Sequence, residues 1–294
     1  MAEIISVASG KGGVGKSFFS SNIAMSLRAT GKKVLLVDGD LGGANLHDFV
    51  GLKAPGTGLY DFLKEGSRLE DIIRSTPAGI DFIGGTGDVL GMAHITNYEK
   101  LKLLNRLKTL EYQYIVLDLG AGTSYNMIDF FNAADKKIMI MNSEPTSLEN
   151  SYGFLKIALY RKVEQILRKD YKFEDICKKI RSKSMNFPSL FSIKESVREV
   201  DPSFAPKVEE VARTYRAGMV LNMIKTKKEL NVFYGFEAVA KKYLSIDIEK
   251  MGFIPYDVKV SESIKQLRPF YTSLISRDLN TCIDDIRQQL IAKL

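Results

Sequence analysis

Tryptophan is absent from this chain of 294 residues, and cysteine and histidine occur only twice each. Cys177 and Cys282 are far apart and lack C-x-x-C spacing, which argues against a disulfide framework, an iron–sulfur cluster or a zinc site. His47 and His94 are the only histidines, and neither sits in a recognisable motif. No apolar run approaches the roughly 18 residues of a membrane-spanning helix. The first residues run straight into a strand pattern and resemble no signal peptide. The expected compartment is a reducing cytoplasm, with peripheral attachment at the inner face of the membrane left open.

Acidic residues are outnumbered. Lys and Arg total 42 against 35 Asp and Glu, a net charge of +7. Residues 156–216 alone carry 15 basic against 9 acidic side chains. Such a face suits anionic lipid, nucleic acid or an acidic partner protein, and it equally suits an ordinary solvated helical surface.

What the chain does have is a glycine-rich loop. Residues 9–17 read Ser-Gly-Lys-Gly-Gly-Val-Gly-Lys-Ser, after the apolar run Ile4–Ala8 and before a helical pattern from Phe18 to Ala29. Gly10, Gly15, Lys16 and Ser17 fit G-x-x-x-x-G-K-[ST], the phosphate-binding P-loop. Gly10, Gly12, Gly13, Val14 and Gly15 would wrap phosphate with backbone N–H groups, and Phe18 opens the helix behind them. Lys16 would reach the outer phosphates and Ser17 would hold Mg2+. A second lysine, Lys11, has no part in an ordinary P-loop.

Strand-like runs alternate with helical patterns along the rest of the chain. Strands are expected at 33–37, 79–83, 112–117, 136–141, 219–221 and 251–254. Helices are expected at 97–110, 125–133, 147–167, 227–243, 258–266 and 274–293. This alternation implies an α/β fold with a mainly parallel sheet flanked by helices on both faces. Ligands of such sheets bind beyond the carboxyl ends of the strands. Asp118 closes Ile115-Val116-Leu117 and suits a Mg2+ carboxylate, followed by the mobile-looking Gly120-Ala121-Gly122. Asp38 and Asp40 close another strand. Asp38 suits the Mg2+ shell, and Asp40 the orientation of an attacking water. Asn222 and Pro255 end two later strands, where they could meet a nucleobase.

These segments together resemble the deviant Walker A ATPases of the MinD/ParA group, a SIMIBI-type branch of the P-loop NTPases. The residues that carry the match are Lys11 within Gly10–Ser17, Asp38-Gly39-Asp40 with Asn45, Asp118 to Gly122, Asn222 and Phe253 to Asp257. The segment Asp118-Leu119-Gly120-Ala121-Gly122-Thr123 is most similar to the MinD/FlhG-like branch. The resemblance implies a slow, partner-stimulated Mg2+-dependent ATPase that cycles between ATP and ADP. It implies a homodimer formed on ATP, with Lys11 crossing to the partner's phosphates. Lys11, Lys16 and Asp40 are then the catalytic residues. The implied role is a switch that positions or regulates a cellular structure, such as a flagellar or cell-division site. Alternatives are a ParA-like DNA-partitioning ATPase, a metallocofactor-assembly ATPase, which the cysteine spacing disfavours, and a small-molecule kinase or amidoligase, which would not need Lys11.

The chain departs from the family twice. The last helix carries Asp278, Asp284 and Asp285 on its polar face, which suits core packing better than a lipid anchor. Residues 161–216 read as a basic helical insertion within a single domain spanning 1–294, with helical stretches at 163–168, 173–183 and 206–215. This insertion is the expected docking site for a regulatory or cargo protein, with membrane surface and nonspecific DNA as open alternatives.

Overall fold

A computed structural model describes the chain except for residues 41, 42, 44, 55, 86–94 and 183–186. His94, Lys183 and Asn186 lie outside the described residues. Among the described residues, eight strands form one sheet: β1 (Glu3–Ser9), β2 (Val34–Gly39), β3 (Arg74–Ser75), β4 (Asp81–Ile83), β5 (Tyr114–Ala121), β6 (Lys136–Met141), β7 (Ala217–Ile224) and β8 (Ile248–Pro255). Their order is β3-β4-β2-β5-β1-β6-β7-β8. The two-residue edge strand β3 pairs antiparallel with β4, and every other pairing is parallel.

The inner strands β1, β2, β5, β6 and β7 are buried on both faces, and alternate residues feed two separate cores. Ile115 and Leu117 point into one cluster while Val116 between them points into the other. The second cluster is covered by α1 (Lys16–Ala29), α2 (Leu46–Phe49) and the last helix, while α3 (Leu59–Lys64), α4 (Asn97–Thr109), α5 (Tyr125–Ala133) and α6 (Pro145–Leu167) cover the first.

Beyond α6 come α7 (Glu174–Arg181), α8 (Leu190–Val200) and α9 (Ala205–Thr214). The stretch expected as a helix at 163–168 is the last turn and C-cap of the 23-residue α6. Sequence patterning missed α8, whose start follows Pro188 and whose N-cap is Ser189. Phe173, Ile176, Ile193, Val197 and Val208 join the same cluster as the sheet residues Met139 and Leu221. The helices α7, α8 and α9 thus share the core of the α6 face. The expected helix at 227–243 is a 3-10 turn, Lys227–Asn231, running into α10 (Val232–Leu244).

The chain closes with α11 (Val258–Lys265) and α12 (Arg277–Lys293). The last helix starts later than its apolar pattern suggests, because Leu274 is exposed and sits at φ 51, outside helical geometry. Leu279, Ile283, Ile286 and Leu290 are buried against β8 and α1. Ile291 on the same stripe remains half exposed.

Candidate functional site

The phosphate loop joins β1, in the middle of the sheet, to α1. Gly15 is the N-cap of α1, in the left-handed region at φ 83, and no side chain caps the helix. The first-turn N–H groups of a 14-residue helix therefore face the loop without a side-chain acceptor, which is the arrangement that binds anions. A side chain at Gly10 would place its Cβ 2.2 Å from the backbone of Asn150 in α6, so only glycine lets the loop lie on that helix.

Lys16 and Ser17 converge on Asp118. The Lys16 ammonium lies 3.3 Å from Asp118 Oδ1, and Ser17 Oγ donates to Oδ2 at 2.7 Å. Ser20, one turn further along α1, donates to Oδ1 at 2.7 Å. Sequence reading missed Ser20, although its i+3 spacing from Ser17 places it on the same helix face.

Asp38 sits opposite Asp118 in register on the adjacent strand β2. Its carboxylate accepts from the N–H groups of Asp40 and Leu46. Burial pushes its pKa up to about 7, Asp118's charge adds to the rise, and the two N–H bonds oppose it. Asp40 follows at the strand end. Its carboxyl lies so close to Gly120 that a Cβ there would be 3.1 Å from Asp40 Cγ. The water-orienting candidate thus touches the glycine segment after Asp118.

Among the described residues, no three His, Cys, Asp or Glu side chains cluster tightly enough to hold a metal alone. Two carboxylates and a hydroxyl at the mouth of a phosphate cradle do fit Mg2+, which keeps waters and takes one or two carboxylates plus substrate phosphates. Ser17, Asp38 and Asp118 are the residues that would hold it.

Beside the loop lies a largely apolar slot of about 190 Å3, lined by Gly15, Phe18, Asn222, Pro255 and Tyr256 among others. Asn222 Nδ2 donates to the Val14 carbonyl at 2.8 Å, so the amide pins the loop to the slot. The next residue, Met223, has φ 60, at a break in the pairing of β7 with β8. Strain in a non-glycine residue at this place is typical of a functional turn. The expected base-contacting residues Asn222 and Pro255 are thus brought together with Phe18. Phe49, Met223 and three residues of α11 also line the slot, with no sequence signal beyond their strand-end or helical positions.

Lys11 is separate from all of this. Its ammonium bonds Glu144 Oε2 at 2.7 Å and Thr146 Oγ1 at 3.1 Å, at the start of α6. The hydrogen bond from Lys11 holds the exposed Glu144 below the ordinary carboxylate range. Lys16 is buried, whereas the Lys11 side chain is 38% exposed.

A profile of the CobQ/CobB/MinD/ParA nucleotide binding domain matches residues 5–270. The antiactivator FleN of Pseudomonas aeruginosa is 24% identical over 92% of this chain and 79% of its own length. The flagellum site-determining protein YlxH of Helicobacter pylori is 34% identical, but over 56% of each chain. The fold superposes on the septum site-determining protein MinD of Pyrococcus horikoshii, complexed with Mg-ADP, with a TM-score of 0.67 at 21% identity, covering 100% of this chain and 98% of that one.

Proposed function

The chain belongs to the CobQ/CobB/MinD/ParA nucleotide-binding family, and from that premise we propose that it binds and hydrolyses ATP with Mg2+ and that ATP joins two copies of it into a dimer that regulates or positions a cellular structure. The flagellar names of its relatives make a flagellar site the leading object, with a division site next.

The observation that carries this reading is the position of Lys11. A lysine inside a phosphate loop, yet bonded at the surface to Glu144 and Thr146, is available to a second subunit. Exchanging Glu144 for phosphate oxygens of a facing nucleotide would bring a positive charge to where negative charge concentrates. Within one subunit, Lys16 trades Asp118 for the outer phosphates, which frees Asp118 and Ser17 to face the ion. Bound Mg2+ supplies charge that neutralises phosphate oxygens. Asp40, against Gly120, orients the attacking water. Asn222 and Pro255 flank the base.

Sedimentation in ATP tests the reading. The unaltered chain should dimerise, and Lys11→Ala and Lys16→Ala should stay monomeric. Asp40→Ala should remain a dimer with turnover reduced about a hundredfold or more. A monomeric Asp40→Ala in saturating ATP would remove Asp40 from its role.

A regulatory or cargo protein docks on residues 161–216, where Tyr171 and Phe191 are exposed on a basic surface. A steep salt dependence of duplex DNA binding by the ATP form would favour the DNA-partitioning alternative instead.

A further inference from the structure

A cavity of about 250 Å3, lined mostly by polar and charged side chains, opens between α4, α5 and α6 and shares no lining residue with the phosphate loop or the apolar slot. Four cations line it, Lys100, Arg161, Lys162 and Arg168, against one carboxylate, Asp129.

That carboxylate is fully engaged. Lys100 and Arg161 both bond to it, and Arg161 bonds Glu164 as well. Burial works against ionisation of Asp129, but the bonds from Arg161 and Lys100 outweigh it and its pKa falls. Lys162 is left over. It is partly buried and its side chain forms no hydrogen bond or ion pair with any described residue. Burial holds its ammonium below the usual range. Lys137, on β6, is pushed down to about 8 by burial and by the charge of Lys162. Arg168, at the end of α6, brings a second guanidinium with no carboxylate partner among the described residues.

We propose that this cavity binds a small phosphorylated molecule, its phosphoryl group held by Lys162 and Arg168 with Gln165 between them. A dianion matches the two unengaged cations. Its tetrahedral oxygens accept from several directions, whereas a carboxylate accepts in one plane. The volume suits a small phosphate ester and is tight for a nucleotide.

The test uses the full chain with saturating Mg-ADP, so that the phosphate loop is already filled. Inorganic phosphate and a glycerol phosphate are titrated by calorimetry, and acetylation of Lys162 is followed by mass spectrometry. Both probes should bind saturably, one per chain, and slow the acetylation of Lys162. Lys162→Gln and Arg168→Gln should each weaken binding about tenfold or more, as loss of a charge-assisted hydrogen bond implies. Lys32→Gln, at an exposed lysine elsewhere, should change nothing. ADP affinity and the far-ultraviolet dichroism of each variant report that it is folded. Equal phosphate affinity in Lys162→Gln and the parent overturns the proposal, as does unchanged acetylation of Lys162. Protection of Lys162 by phosphatidylglycerol vesicles or duplex DNA, but by neither soluble probe, also overturns it.

Discussion

Asp38 and Asp118 oppose each other across adjacent strands, and among the described residues only Asp118 of the two has cationic and hydroxyl partners. Asp38 has two N–H donors, yet its pKa is raised to about 7. The folded state therefore binds more protons than the unfolded chain between about pH 4 and 7. The stabilisation linked to this proton is full below about pH 4 and is lost as pH rises through 7, by at most about 4 kcal/mol. Urea titrations without Mg2+ or nucleotide should show the parent losing stability between pH 5 and 8. Asp38→Asn should flatten that slope, and an unchanged slope would refute the assignment. Asn222→Ala should cost about 1–3 kcal/mol in the same assay, because the Val14 carbonyl loses its donor. At this scale the sequence made the positions of much of the candidate site legible. Glycine, lysine and aspartate at strand ends announce themselves because few other residues can do their work. Ser20, Glu144 and Thr146 did not, since each acts only through a neighbour that folding brings to it.

At the scale of elements, long runs with one dominant period were readable, and β6 falls at its expected bounds. The misses share a cause. The strand β3 and the helix α3 are too short for a period to develop, and α8 lies behind a proline and a phenylalanine that read as loop. The last helix was read three residues too early because Leu274 and Ile275 continue its stripe in sequence while the backbone turns at Leu274. Its buried face predicts a stability effect. Ile286 is fully buried, and a Cβ at Gly252 of β8 would lie 2.7 Å from its Cγ1. Ile286→Ala should cost about 2–5 kcal/mol by urea denaturation. A loss under about 1 kcal/mol would mean that the helix docks loosely.

At the scale of the molecule, the alternation of strands and helices made the layered architecture readable. It could not reveal that α7, α8 and α9 share the α6-side core, because that depends on which surface they meet after the chain turns. The strand order has a consequence in time. The first strand made is β1, yet it lies between β5 and β6, and Asn222, the residue that pins its loop, belongs to β7. A ribosome must therefore deliver more than two thirds of the chain before the nucleotide site can close. Until then the glycine loop is tethered to a strand with neither neighbour, and ATP has nothing complete to hold. Synthesis itself thus delays the site: nascent chains stalled before β7 emerges should not retain nucleotide, and those stalled after α12 emerges should.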